Sequence, residues 1–195
     1  MLIEIREESA DALAEYARVP IAFEVREIFD VARQGSDEFV LTARQLAVPY
    51  VKDYDADEAE SPARWPQRFD VSNWEFLAAY RKGRRVGGAT VAFDTTGLEM
   101  LEGRADLAVL WDIRVAPEAR GQGVGSSLFR AVEARAADRC CLQLKIETQN
   151  INVPACRFYA RQGCALRAVT RLAYPELPHE IQLLWYKELT RGRAA

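Results

Sequence analysis

Glycines at alternate positions, Gly121, Gly123 and Gly125, in the run RVAPEARGQGVGSSL over residues 114–128, constrain this chain more than any other feature. Upstream, residues 105–115 (ADLAVLWDIRV) are almost continuously apolar and too short for a typical amphipathic helix, so they predict a buried strand. Downstream, Val124, Leu128, Val132 and Ala136 recur at helical spacing, with Arg130, Glu133, Arg135 and Asp138 on other faces. That pattern predicts a helix ending near Arg139. The glycines therefore occupy a strand-to-helix turn, where unpaired N–H groups and the positive end of the helix dipole converge. Bare backbone there lets the main chain curl around an anion and donate to phosphate oxygens. It equally permits a tight turn that packs helix on sheet, and the glycines alone do not separate these readings.

Their register excludes familiar alternatives. A dinucleotide fingerprint GxGxxG starting at Gly121 needs glycine where Ser126 stands, and a P-loop needs a Gly-Lys-Ser/Thr ending that this run lacks. A GxSxG elbow is missing too, so Ser126 and Ser127 read as first-turn helix residues rather than nucleophiles.

Around this turn the chain alternates strand and helix signals. Residues 21–33 and 38–47, rich in β-branched and aromatic side chains and separated by Gln34, Gly35 and Ser36, predict paired strands. The stretch PYVKDYDADEAESPARWPQRFD predicts a loop, with Pro49, Pro62 and Pro66 and acids at Asp53, Asp55, Asp57, Glu58 and Glu60. Residues 74–81 and 86–93 predict a hairpin with a bulge near Gly87 and Gly88. Residues 142–148 (LQLKIET) alternate like a strand, and Asn152 with Pro154 starts a short helix that Gly163 stops. Strands at 165–173 and 180–189 complete the order, which predicts an α/β fold with a mixed sheet. With 195 residues, 49% of them hydrophobic, and no repeat or linker, residues 1–195 read as a single domain. Residues 1–20 receive no role.

Charge limits the partners. A net charge of −3 gives no basic footprint for nucleic acid and no polybasic patch for a membrane. The start, MLIEIREESADAL, is neither a signal peptide nor a membrane span, so a cytoplasmic location is expected; the sequence leaves a homodimer open. The four cysteines form no CxxC pair and read as free buried thiols. His179 is the single histidine, so no metal site is expected.

RVAPEARGQGVGSSL resembles the acetyl-coenzyme A signature of the GNAT superfamily of N-acetyltransferases, Arg/Gln-x-x-Gly-x-Gly/Ala, through Arg120, Gly123 and Gly125. NVPACRFYARQGC is similar to that family's second signature, with Asn152, Ala155, Tyr159 and Gly163 at its spacing. LKIETQNINVPACRFYARQG, PYVKDY and LWYKEL are similar to the streptothricin acetyltransferases and related antibiotic-modifying members. The resemblance implies a mixed, mostly antiparallel sheet flanked by helices, whose two central parallel strands splay to admit the pantetheine arm; by position these are 105–115 and 142–148. It implies that Gly121, Gln122, Gly123, Val124, Gly125 and Ser126 hold the pyrophosphate, that the main chain near Ile113 and Val115 aligns the acetyl carbonyl, and that Asn152 bonds the cofactor arm.

The resemblance also implies that Tyr159 is the general acid that protonates the departing thiolate, since a phenol titrating near ~10 keeps its proton at neutral pH. A primary amine arrives protonated for the same reason, and the candidate bases are Glu147, preferred, and Asp112 as its partner or substitute. Each of these residues has a plainer reading: Tyr159 as a core ring beside Phe158, the carboxylates as groups satisfied by Arg114 or Gln149. The acidic loop, with Trp65 and Trp74, is a candidate receiver for a cationic amine through charge and cation–π contact. The implied acceptor is a small cationic amine such as the β-lysine of streptothricin. Protein lysine or N-terminal amines are the alternative acceptors, and a noncatalytic acyl-coenzyme A binding module is the alternative class.

Overall fold

The computed structural model describes residues 2–35 and 38–189. Ser36, placed by sequence in the first hairpin turn, lies outside the described residues. In chain order the elements are β1 (Glu4–Glu8), α1 (Leu13–Tyr16), β2 (Phe23–Gln34), β3 (Glu38–Lys52), α2 (Trp65–Arg68), β4 (Glu75–Arg81) and β5 (Arg84–Ala92). They continue with β6 (Leu107–Val115), α3 (Val124–Asp138), β7 (Gln143–Gln149), α4 (Val153–Arg161), β8 (Ala165–Thr170) and β9 (Gln182–Glu188). This is the mixed α/β fold that the sequence implies, with antiparallel ladders at β1–β4, β2–β3, β4–β5, β5–β6 and β8–β9.

The chain divides into two compact units, which are interleaved in sequence. The first comprises residues 2–22, 53–144 and 189, and its strands lie in the order β1-β4-β5-β6. Helix α3 packs on β5 and β6, and its apolar stripe, Val124, Leu128, Phe129, Val132 and Ala136, is buried as the helical period requires. The bulge expected near Gly87 is present, with a register shift between Ala79 and Tyr80. The glycines there answer to space: a Cβ on Gly88 would lie 2.4 Å from the Tyr16 ring, and one on Gly87 would lie 2.8 Å from the Arg114 carbonyl oxygen.

Three expectations change in this unit. Cys140, read from sequence as a buried thiol, is exposed, while its neighbour Cys141 is buried. Residues 4–8, given no role by sequence, form an edge strand on β4, and α1 buries Leu13 and Tyr16. Trp65 and Trp74 are not available to a cationic substrate: they are 4% and 5% exposed, with Trp74 5.3 Å from the ring of Trp111 and Trp65 6.0 Å from that of Tyr16. Pro62 and Pro66 explain how a loop composition reaches the core. Each opens a short helical turn where its missing N–H costs nothing, and those turns carry Trp65 inward.

The second unit comprises Phe23–Lys52 and Lys145–Glu188. It holds the long β2–β3 hairpin, the strands in the order β7-β9-β8, and α4. β3 runs to Lys52, past the Pro49 at which sequence predicts a loop to begin. The ladder skips from Tyr50 to Gln45 opposite Val25 and Glu27, so Pro49 falls in a bulge where no strand N–H is demanded. Asn150 joins hairpin to strand. Its Nδ2 donates to Phe29 O at 3.0 Å, its Oδ1 accepts from Ile181 N at 2.8 Å, and its own backbone bonds the same two residues. A buried amide here completes both ladders, which is how a polar side chain at 3% exposure is satisfied.

Among the described residues no helix is long and apolar enough to cross a membrane.

Candidate active site

The expected site residues divide between the units. Asp112, Ile113, Val115 and Arg120 to Ser126 belong to the first; Glu147, Asn152 and Tyr159 belong to the second.

In the first unit, β6 leads through a short turn at Pro117–Ala119 to the glycines. Gly121 and Gly123 have φ of +71° and +83°, and a Cβ on either would meet nothing within 4 Å. These positions need glycine for backbone conformation, and the space beside them is open. Gly123 is the N-cap of α3 and supplies no side-chain cap, so the amides of the first turn are approachable by an anion along the helix dipole. That donor set fits a pyrophosphate. The flanking side chains have structural partners: Arg120 donates to the carbonyls of Val115, Pro20 and Ala22, and burial lowers its pKa. Gln122 accepts from Arg81 and donates to Glu118 O. Any contribution of these two to the cradle therefore comes through the loop they brace.

Asp112 is bound on both oxygens. Arg114 donates to Oδ1 at 2.9 Å and to Oδ2 at 2.7 Å, and the Tyr16 hydroxyl donates to Oδ1 at 2.5 Å. Arg114 also grips Asp55, at 2.7 and 3.2 Å, and donates to Val19 O. Its side chain is 1% exposed and that of Asp112 is 8% exposed. Burial opposes the Arg114 cation, but the charge and hydrogen bonds of Asp112 outweigh it and hold the guanidinium above its ordinary pKa. Burial, then the Asp112 charge, pushes the Tyr16 phenol well above its own. Sequence offers Arg114 as a nearby arginine able to satisfy Asp112. Tyr16 carries no such signal, lying 96 residues away.

In the second unit, Glu147 sits half-buried on β7, with Oε1 accepting from the Tyr174 hydroxyl at 2.5 Å and Oε2 from Gln182 Nε2 at 2.9 Å. Both donors are uncharged. Gln149, the amide partner expected for it, instead donates to the Tyr174 oxygen at 2.9 Å. Asn152 caps α4, its Oδ1 accepting from Ala155 N at 3.2 Å. Tyr159 is 5% exposed on the inner face of α4, its ring edge-on to Phe158 at 5.2 Å. Cys156, on the same helix, is a core thiol. Burial pushes its pKa up to about 11, and it lies 3.4 Å from the Thr148 hydroxyl. At that pKa it is not a thiolate nucleophile at neutral pH.

The model of the acetyltransferase (GNAT) family matches residues 42–164, and the chain belongs to that family. Among its relatives, the streptothricin acetyltransferase of Escherichia coli is 32% identical over 168 residues, 84% of each chain. Streptothricin acetyltransferase A of Bacillus subtilis (strain 168) is 30% identical, over 74% of this chain and 77% of its own. The fold is shared with nourseothricin acetyltransferase, at a TM-score of 0.75 and 22% identity, over 97% of this chain and 100% of the other. It is shared too with a structure from Bacillus anthracis str. Ames that bears a streptothricin acetyltransferase designation and was solved with acetyl coenzyme A (TM-score 0.77, 21% identity, 96% and 99% covered).

Proposed function

We propose that this acetyltransferase moves the acetyl group of acetyl coenzyme A directly onto a primary amine of a streptothricin-type antibiotic. The observation that carries the acceptor is the 32% identity over 84% of the chain to the Escherichia coli streptothricin acetyltransferase. The cosubstrate is supported by the fit of the α3 N-terminus to a pyrophosphate and by the acetyl coenzyme A bound in a protein of the same fold.

In this reading the amides from Gly121 to Ser126 hold the pyrophosphate, and the β6 main chain at Ile113 and Val115 aligns the acyl arm. Asn152 contributes its remaining amide group to that arm, since its Oδ1 is engaged in the cap. Glu147 takes the proton of the incoming ammonium, directly or through water. Asp112 serves instead to fix β6, because both its oxygens accept from Arg114 and Tyr16. Tyr159 returns a proton to the leaving sulfur, consistent with a phenol that stays protonated at neutral pH. The presence of both Glu147 and Tyr159 favours turnover over a noncatalytic binding module.

Coenzyme A thiol release against streptothricin, polyamines, lysine and peptide amines tests the acceptor, and streptothricin is expected to give the highest kcat/KM. A peptide amine in that position would overturn the assignment. Tyr159→Phe is expected to cut kcat at least tenfold with little change in the KM for acetyl coenzyme A, on the ~10²–10⁴-fold scale of general acid catalysis. An unchanged kcat removes the role.

A further inference from the structure

We infer that Tyr174 and Gln182 are positioning residues for Glu147, fixing both oxygens of the carboxylate so that it faces the amine in one orientation. The inference rests on the reading of Glu147 as the base.

The connection between β8 and β9, residues 171–181, is tied down at both ends. Arg171 donates to Val31 O at 2.7 Å, and Glu180, buried, pairs with Lys52 at 2.6 Å. Between these ties the chain turns at Tyr174, whose carbonyl accepts from Leu177 N. The Tyr174 phenol is thereby delivered to Glu147 from a connection whose ends cannot drift, and its hydroxyl donates to Oε1 at 2.5 Å while its oxygen accepts from Gln149. That last contact matters, because a hydroxyl whose lone pair is already engaged by an amide has its proton directed at the carboxylate. Gln182 reaches the other oxygen from β9 at 2.9 Å. A carboxylate gripped at both oxygens by uncharged donors keeps a defined rotamer, and neither donor cancels its charge as an arginine would.

Other charged or titratable groups on this face belong to the strands. Lys145 precedes Glu147 by two residues on β7 and so shares its face. Its ammonium lies 5.7 Å from the ring of Tyr186, which shares the Gln182 face of β9.

The pH dependence of kcat and kcat/KM is measured with streptothricin and with lysine amide as acceptors, for the parent and for Glu147→Gln, Tyr174→Phe and Gln182→Leu. Tyr174→Phe keeps the ring and is expected to lower kcat about tenfold, with the KM for acetyl coenzyme A unchanged, because a misoriented carboxylate meets the amine less often. Gln182→Leu is expected to lower kcat in the same way by less, and it carries the test if Tyr174→Phe does not fold. A kcat in Tyr174→Phe and Gln182→Leu equal to the parent's, when Glu147→Gln has lost the acid limb, overturns the positioning role and leaves the base in place. A limb retained in Glu147→Gln overturns the base itself, and this inference with it.

Discussion

At the scale of single residues, polar groups and thiols in this protein are committed by burial rather than by type. Asp112 and Glu147 are both strand carboxylates, but one is clamped by a buried guanidinium and the other by a phenol and an amide. In the proposed function that difference makes Glu147 the base and Asp112 an anchor, because a proton taken up by Asp112 would leave the buried Arg114 cation uncompensated. Cys156 shows the same principle with a measurable consequence. Its folded pKa of about 11 lies above the ordinary 9.0, so the folded chain keeps this proton where the unfolded chain has released it. The sign follows from that excess of bound protons: the stabilisation is complete below pH ~9 and is lost as pH rises toward ~11, on the order of 2 kcal/mol in full. Urea unfolding at pH 8 and pH 10.5 checks it, and Cys156→Ala is expected to lose less stability between the two than the parent. Parallel losses in the two proteins would assign the alkaline sensitivity elsewhere.

At the scale of elements, the proposed function makes cofactor affinity depend on the glycine turn before α3. Gly123→Ala places a Cβ at a φ of +83°, where an L residue is strained by about 1–3 kcal/mol, although nothing crowds the new atom. Relief of that strain rotates the first-turn amides away from their common focus. The expected outcome is a KM for acetyl coenzyme A raised tenfold or more, with a smaller effect on kcat, measured by steady-state kinetics. This turn was legible in sequence because strand, glycines and helix are contiguous, as were α4, its Asn152 cap and the bulge at Gly87. Local period and local turn chemistry are enough for such pieces. The partners of Asp112 and Glu147 were only partly legible: Arg114 is two residues from Asp112, but Tyr16 and Asp55 lie 96 and 59 residues from their partners, and Tyr174 lies 27 from Glu147. No periodicity spans such distances. The tryptophans misled for a related reason, since their acidic and proline-rich neighbourhood describes the surface of the loop and not the face it buries.

At the scale of the whole molecule, the proposed chemistry names residues from both compact units. A ligand that binds only the folded chain stabilises it by mass action, about 2.7 kcal/mol at a hundredfold excess over its Kd. Coenzyme A is therefore expected to raise the melting temperature in a concentration-dependent way, and by less in Gly123→Ala than in the parent. A melting temperature indifferent to coenzyme A would remove the cradle from the proposed function.

The interleaving of the two units also sets an order of events during synthesis. The β2–β3 hairpin leaves the ribosome about a hundred residues before Asn150, whose side chain and backbone complete the hydrogen bonding at Phe29. At ordinary elongation rates that interval is roughly 5–20 s, and an isolated two-stranded hairpin is marginal in water. For that time the ribbon lacks its amide clamp, and the nascent chain is at its most vulnerable to mispairing with its neighbours on the same polysome.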